Sequence, residues 1–134
     1  MTIEDVSNDL TRRLIRAGFT ILRYDALSTD SVYLKLDYGV CNSIRISDHE
    51  GKSHLKYRYN IGPHIKKRKV EMDVFPRYYY PMRDADALMK QILSDRAGKL
   101  KHYGHTRYEK FMKENQKAHK GSKGFWSDAR QVFI

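Results

Sequence analysis

The sequence contains one cysteine, three prolines and no long run of apolar residues. Because Cys41 is the only cysteine, the chain cannot form an internal disulfide, and a zinc site built from cysteines is not expected. No stretch approaches the roughly 18 apolar residues that a membrane-spanning helix needs. The N-terminal segment MTIEDVSNDL also lacks the basic start and apolar centre of a signal peptide. We therefore expect an intracellular protein that does not interact with membranes.

The sequence also lacks the common catalytic motifs, namely GxSxG, HExxH and the glycine-rich loops that bind phosphates. Asp37, Glu50 and Lys52 follow the order Asp…Glu-x-Lys found in metal-dependent nucleases. In such enzymes the Glu and Lys share a strand, whereas here Gly51 interrupts the alternation between them. We interpret D-H-E-G-K-S-H (48–54) as a polar connection between two strands. The prediction is a non-catalytic protein with no catalytic residues.

The histidines are scattered, which argues against a metal site. Only His102 and His105 have a spacing that suits two ligands on one helix, and Gly104 between them indicates a junction of helices instead. We predict neither a metal ion nor a cofactor. A metal-dependent nuclease remains an alternative, as does an RNA-cleaving toxin that acts on ribosomes, because such small basic toxins cut RNA with scattered side chains and show no motif.

Positive charge is unevenly distributed along the chain. The sequence has 26 Lys and Arg residues against 16 Asp and Glu, a formal net charge of +10. Residues 1–51 have a small acidic excess, and positions 52–69 contain no acidic residue. This asymmetry favours a polyanionic partner or an acidic protein surface, with a merely solubilising surface as the alternative.

The periodicity of apolar residues predicts an α+β fold. Ile3, Val6, Leu10 and Leu14 recur at helical spacing and predict an N-terminal helix that stops at Gly18. The middle of the chain alternates with period two, which predicts an antiparallel β-meander of four or five strands. The predicted strands lie at 19–24, 31–40, 42–49, 54–61 and 69–75.

Within the second of these strands the alternation assigns residues to two faces. Val32, Leu34 and Leu36 should be buried, whereas Lys35 and Asp37 should face solvent, together with Tyr33. The segment PRYYYPM (76–82), which has a proline near each end, is predicted to be a loop.

Two or three helices should complete the C-terminal region. Asp84 can cap a helix that runs to about 101, with Ala87, Leu88, Met89, Ile92 and Leu93 as its apolar stripe. Another helix should begin near 105. The apolar C-terminal tail should dock on the same chain or on a second copy, which leaves room for a homodimer. The whole chain, 1–134, is interpreted as one domain, with helix and sheet in 1–80 and a basic helical region in 81–134.

Two basic segments are candidates for binding a partner. The run IKKRK supplies Lys66, Lys67, Arg68 and Lys69, and nearby Arg77 precedes three tyrosines that include Tyr79. Positive charge beside aromatic rings suits single-stranded nucleic acid. The alternatives are a solvated basic run and tyrosines that simply cover the sheet.

The last predicted helix carries a lysine face. Side chains that recur every three or four residues share one side of a helix. This pattern groups Lys110, Lys113, Lys117 and Lys120, with Arg107 beside them. Such a face can lie along a phosphate backbone or meet an acidic protein surface.

The stretch SIRISDHEGKSHLKYRYNI (43–61) resembles small proteins from phages and mobile elements of Gram-positive bacteria. Some inhibitors of type II CRISPR effector nucleases carry a similar R-[IL]-S-[DN]-H motif, and Arg45, Ser47, Asp48 and His49 match it. The resemblance implies an anti-CRISPR protein in the cytoplasm of a bacterial host cell. Its partner would be an RNA-guided nuclease, the guide RNA, or both. A general DNA- or RNA-binding accessory protein of a phage or mobile element is the alternative.

A basic protein is poorly suited to imitate DNA, which is acidic. If the resemblance holds, the expected contact is therefore with the guide RNA or with an acidic protein surface of the effector. In either case the basic residues named above would carry the binding.

Overall fold

The computed structural model describes residues 2–26, 30–47, 57–60, 77–120 and 128–133. Within these ranges the fold is α+β, as predicted, with one N-terminal helix, a six-stranded antiparallel sheet and two C-terminal helices. The helices are α1 (Ile3–Arg16), α2 (Ala85–Tyr103) and α3 (His105–Lys120). The strands are β1 (Ile21–Ala26), β2 (Ser31–Leu36), β3 (Ser43–Ser47), β4 (Tyr57–Asn60), β5 (Arg77–Tyr80) and β6 (Arg130–Val132).

Helix α1 begins with a capping box that satisfies two backbone groups of its first turn. The Thr2 hydroxyl accepts a hydrogen bond from the Asp5 backbone N–H, and the Asp5 carboxylate accepts one from the Thr2 N–H. The hydrogen bond from the Thr2 backbone N–H holds the pKa of the Asp5 carboxylate below its ordinary value. The helix ends where Gly18 adopts a φ of +93°, a conformation that favours glycine. The predicted stop of this helix at Gly18 is therefore confirmed.

The sheet is a meander to which the C-terminal strand is added at one edge. The strand order is β5-β4-β3-β2-β1-β6, and every neighbouring pair is antiparallel. Six strands are one more than the upper number expected. Neither β5 nor β6 was among the predicted strands, and β6 pairs with β1 at one edge of the sheet.

The hydrophobic core lies between one face of the sheet and two helices. Helix α1 contributes Val6, Leu10 and Leu14, and helix α2 contributes Leu88, Met89 and Ile92. The sheet side of the same cluster includes Leu34, Leu36, Ile44, Ile46 and Tyr59. We call this side of the sheet the core face and the opposite side the outer face.

Strand β2 is shorter than the alternation suggested. It ends at Leu36, and Asp37–Gly39 form a short 3-10 turn in which Asp37, Tyr38 and Gly39 all have positive φ. Such backbone cannot continue a strand. The prediction that Asp37 faces solvent is wrong, since its side chain is fully buried.

The predicted loop at 76–82 is also wrong over most of its length. Arg77–Tyr80 form β5, which pairs with β4 along its whole length. The two prolines lie outside this strand, so all four residues keep backbone N–H groups for the sheet. The strand predicted at 69–75 lies outside the described residues.

Helices α2 and α3 meet at Gly104, which has a φ of +81°, so the predicted junction between His102 and His105 is confirmed. Asp84 occupies the position before α2, but its side chain makes no capping hydrogen bond. The predicted stripe of α2 is only partly buried, because Ala87 and Leu93 are exposed.

Part of the apolar tail docks on the chain itself through the pairing of β6 with β1. Phe133 remains 75% exposed. No helix in the described part of the chain is long and apolar enough to cross a membrane.

Candidate nucleic-acid interface

The outer face of the sheet carries aromatic and basic side chains in register across five strands. Residues directly opposite one another in antiparallel strands lie on the same face. Each of the strands β1 to β5 contributes one member to a continuous row, in the order Tyr24, Tyr33, Arg45, Arg58 and Tyr79. We call this set the tyrosine–arginine row. With strands about 4.8 Å apart, the row extends over roughly 19 Å.

The first three members of the row contact one another. The rings of Tyr24 and Tyr33 are tilted at 45° with their centroids 6.5 Å apart. The Arg45 guanidinium lies over the Tyr33 ring, 5.6 Å from its centroid, and donates hydrogen bonds to the Ser31 hydroxyl. All three side chains are half-buried. These contacts fix the orientation of a guanidinium on an aromatic surface.

A second row runs parallel to the first and lies two residues away from it on each strand. Its register positions are Leu22, Lys35, Ser43, Asn60 and Arg77. We call it the lysine row. Lys35 is half-buried, and burial holds the pKa of its ammonium group below the ordinary value. Lys35 therefore places one cation, partly shielded from water, on the outer face.

The composition of the two rows decides which ligands suit the outer face. Neither row has an acidic residue at any register position, and Arg45, Arg58 and Lys35 place positive charge on the outer face. Arginines directly opposite each other, as Arg45 and Arg58 are, repel and destabilise a sheet. Tyrosine rings offer stacking surfaces to bases, and guanidinium groups bind phosphates or stack as well. The arrangement suits a negatively charged ligand that has flat aromatic groups.

Strand β5 separates the three consecutive tyrosines between the two faces. Tyr79 pairs with Arg58 and lies on the outer face, where it is 39% exposed. Tyr78 pairs with the buried Tyr59 on the core face and is 38% exposed. Tyr80 packs against the core, and burial raises the pKa of its phenol. Of the three, Tyr79 alone belongs to the tyrosine–arginine row.

A buried ionic cluster attaches α3 to the end of the sheet. The Tyr108 hydroxyl donates to Asp37 Oδ2 at 2.5 Å, and Arg96 Nε lies 3.1 Å from the same oxygen. The Thr20 backbone N–H donates to Asp37 Oδ1 at 2.9 Å. Burial, followed by the bond to Asp37, raises the pKa of Tyr108. The Asp37 carboxylate therefore joins β1, α2 and α3.

Arg96 extends this cluster towards the end of α1. Its guanidinium donates to the backbone carbonyls of Ala17 and Gly18 and lies over the Phe19 ring, 4.2 Å from the centroid. Asn115 of α3 adds a further attachment by donating to the Tyr38 carbonyl at 2.8 Å. These contacts fix the position of α3 beside the turn between β2 and β3.

Cys41 is fully buried next to the cluster, and its thiol has no catalytic environment. Burial raises the pKa of Cys41 to about 11. A reactive cysteine needs a lowered pKa and access to solvent. The Tyr59 hydroxyl donates to the Cys41 carbonyl, and Lys99 donates to the Val40 carbonyl. Burial also lowers the pKa of Lys99, so this region is a packed polar interior.

The predicted lysine face of α3 is exposed at Arg107, Lys110, Lys113 and Lys117. The opposite side holds the anchors, with Tyr108 buried and Asn115 half-buried. Glu114 is also exposed and lies between Lys110 and Lys117, four residues after one and three before the other. This carboxylate reduces the net positive charge of the lysine face.

The remaining predicted residues have different positions. Arg45 lies in the tyrosine–arginine row, and Ser47 of the same motif is buried, with 1% of its surface exposed. Arg77 occupies the last register position of the lysine row, and Lys120 ends α3. Lys66, Lys67, Arg68, Lys69, Asp48 and His49 lie outside the described residues.

Tyr24, Tyr33, Lys35 and Arg58 were not predicted as binding residues, although the alternation of apolar and polar residues in their strands is clear in the sequence. Alternation tells which face of its own strand a residue occupies, but the pairing register decides which residues become neighbours. The short connection between β2 and β3 was the available signal, because it aligns Tyr33 with Arg45.

In the described part of the chain, no group of three or more His, Cys, Asp or Glu side chains is arranged to hold a metal ion. The Asp37 carboxylate, the first of the Asp…Glu-x-Lys pattern, already accepts hydrogen bonds from Thr20 and Tyr108 and pairs with Arg96. No protein-family model matches the chain, and no curated protein or solved structure is significantly similar to it.

Proposed function

We propose that this protein binds single-stranded nucleic acid on the outer face of its sheet and acts by binding rather than by catalysis. The observation that carries the proposal is the tyrosine–arginine row, in which five adjacent strands each contribute an aromatic or guanidinium group. A single strand exposes its bases for stacking, whereas a duplex hides them.

The charge distribution supports the same ligand. The formal net charge of +10 attracts a polyanion over distance, and the two rows lack carboxylates that would repel phosphates at contact. The lysine face of α3 offers a second basic surface, which Glu114 partly neutralises. In this proposal the sheet provides most of the affinity, and α3 adds phosphate contacts.

A matched pair of substitutions on β5 tests the proposal. Tyr79 and Tyr78 are neighbours with nearly equal exposure, 39% and 38%, but lie on opposite faces. If Tyr79 stacks on a base, Tyr79→Ala should lose about 1–3 kcal/mol of binding energy, or roughly 5- to 150-fold in affinity. Tyr78→Ala should leave the affinity within about twofold.

The measurement is fluorescence anisotropy with labelled RNA and DNA oligonucleotides, both single-stranded and double-stranded, at two salt concentrations. Stronger binding to the single strands is expected, and the RNA and DNA arms identify the sugar that the protein prefers. Equal losses in Tyr79→Ala and Tyr78→Ala, or preferential binding of duplex, would contradict the use of the outer face. The RNA is also inspected for cleavage, which would support the toxin alternative.

A narrower proposal concerns the partner. We propose that the bound strand is the guide RNA of a type II CRISPR effector nuclease, on the basis of the motif at 45–49. The specific observation that favours it is that Arg45 belongs both to this motif and to the tyrosine–arginine row. The alternative, a general accessory protein of a phage or mobile element, predicts similar affinity for unrelated RNAs.

Titration of purified protein into guide-loaded nuclease, with free guide RNA and an unrelated RNA of equal length as comparisons, separates these two functions. Stoichiometric inhibition of DNA cleavage, reduced by Arg45→Gln, is the expected result. Unchanged cleavage at protein excess would refute the inhibitor proposal and would leave general nucleic-acid binding in place.

A further inference from the structure

A cleft opens where the lysine row meets the C-terminal half of α3. It has a volume of about 390 Å³, which falls at the lower end of the range for small-ligand sites. Leu22, Lys35 and Ser43 form its sheet side, Asn115 and His119 its helix side, and Asn42 closes the end near the turn between β2 and β3. The cleft is therefore continuous with the outer face.

The lining of the cleft has the chemistry of a nucleotide site. Leu22, only 3% exposed, provides an apolar surface, and the half-buried side-chain amide of Asn115 provides polar groups. Lys35 adds a positive charge. Among the lining residues that the structure describes, none is Asp or Glu, which disfavours a cation as the ligand. An apolar surface, an amide group and one cation suit a base joined to a phosphate.

The cleft is also pre-formed. Asn115 is held by its bond to the Tyr38 carbonyl, and Tyr38 in turn donates to the Gln131 side chain at 3.1 Å. Gly39, which also lines the cleft, has a φ of +87°, so the turn depends on a conformation that favours glycine. A ligand that enters such a site does not have to order its walls, which reduces the entropic cost of binding.

We propose that this cleft binds one nucleotide of the single strand, with its phosphate at Lys35 and its base between Leu22 and the Asn115 amide. The inference deepens the proposed function and rests on it. Lys35 lies two residues after Tyr33 on β2, and Ser43 lies two residues before Arg45 on β3, a distance of about 7 Å in each strand. A strand that stacks on the tyrosine–arginine row therefore passes directly beside the cleft.

Ala118 offers a substitution that fills the cleft without disturbing the core. It is exposed on α3 and lines the cleft, so Ala118→Trp should occupy the space of the base. Ala97 is also exposed on a helix, α2, but does not line the cleft. Ala97→Trp is therefore the matched control for helix propensity and added apolar surface. Circular dichroism of both variants verifies that they are folded.

In the experiment the full chain is titrated with each of the four ribonucleoside monophosphates, and its amide chemical shifts are followed. Inorganic phosphate is the comparison probe. At least one nucleotide should shift the amide signals of Asn42, Ser43 and Asn115 more than phosphate does. Ala118→Trp should abolish these shifts and weaken oligonucleotide binding at least fivefold, whereas Ala97→Trp should change neither. Tyr79→Ala should weaken oligonucleotide binding and leave the mononucleotide shifts intact.

The outcomes distinguish failure of this inference from failure of the proposed function. If no nucleotide shifts the cleft signals, or if Ala118→Trp binds oligonucleotides as the original chain does, the cleft is not a nucleotide site. Oligonucleotide binding that still depends on Tyr79 would then leave the proposed function standing. Mononucleotide binding without any oligonucleotide binding would refute the proposed function, and with it the claim that the nucleotide belongs to a strand.

Discussion

Replacement of Asp37 by asparagine should destabilise the fold far more than the same change at the surface. The carboxylate is fully buried and interacts with the Tyr108 hydroxyl, the Arg96 guanidinium and the Thr20 N–H. Asparagine keeps an acceptor for Thr20 and tolerates the positive φ of 52° at this position. Asp37→Asn therefore removes the charge and places an NH2 donor where Oδ2 accepts from Tyr108 and faces Arg96.

The expected loss follows from the two interactions that need the charge. A hydrogen bond to a charged group contributes about 1.5–3 kcal/mol, and removing one partner of a buried ion pair costs about 3–5 kcal/mol. The Arg96 side chain is 22% exposed and retains its bonds to two backbone carbonyls, which favours the lower end. We expect a loss of about 2–3 kcal/mol in the free energy of unfolding. At this chain length that corresponds to a fall in Tm of roughly 6–15 °C.

Urea denaturation followed by circular dichroism measures the loss, and Asp9→Asn is the control. Asp9 forms an exposed ion pair with Arg12 at 3.8 Å, so its replacement should change the free energy of unfolding by less than about 0.5 kcal/mol. Hydrogen exchange should also speed up in α3, which Asp37 helps to anchor. If Asp37→Asn and Asp9→Asn were equally stable, Asp37 would not be the link that joins α3 to the sheet.

Three further predictions concern the backbone, the buried thiol and the lysine face. Gly104→Ala should lower the free energy of unfolding by about 1–3 kcal/mol, because the backbone at position 104 has a φ of +81°. Gly98→Ala, inside α2, should instead stabilise the fold by about 0.5–1 kcal/mol. Neither new methyl group would meet an atom within 4 Å, so equal effects in urea denaturation would refute the backbone explanation. Between pH 9 and about 11 the folded state keeps the Cys41 proton that the unfolded state has lost, so stability falls as pH rises. Cys41→Ala should remove roughly 2–3 kcal/mol of that fall, and an unchanged pH profile would contradict it. Glu114→Gln should strengthen oligonucleotide binding at low salt, whereas the double change Lys113→Glu with Lys117→Glu should weaken it. Lys90→Glu on α2 is the control. Unaltered affinity in the α3 variants would show that this helix is not part of the interface.

Most of the local structure could be predicted from the sequence. The apolar spacing of α1, the glycine after it and the alternation of β2 and β3 are local signals, since each depends on residues close in the chain. The loop prediction at 76–82 failed because proline content was given more weight than the β-propensity of three tyrosines. The prolines lie outside β5 and do not interrupt its backbone pairing.

The position of Asp37 could not be predicted in the same way. Alternation assigned it to a solvent face because the predicted strand, 31–40, continued past the end of β2 at Leu36. A carboxylate can be fully buried only where distant groups compensate its charge, and here they are Arg96 and Tyr108, far along the chain. Nothing in the local sequence identifies those partners.

The sequence by itself determined the fold class, the basic character and the presence of aromatic and arginine residues on alternating positions. Only the tertiary structure decided that Tyr24, Tyr33, Arg45, Arg58 and Tyr79 form one row, and that α3 closes a cleft beside it. The physical reason is that side-chain alternation is a property of a single strand. Which side chains become neighbours depends on the register of hydrogen bonds between strands and on the buried Asp37 cluster that fixes the last helix.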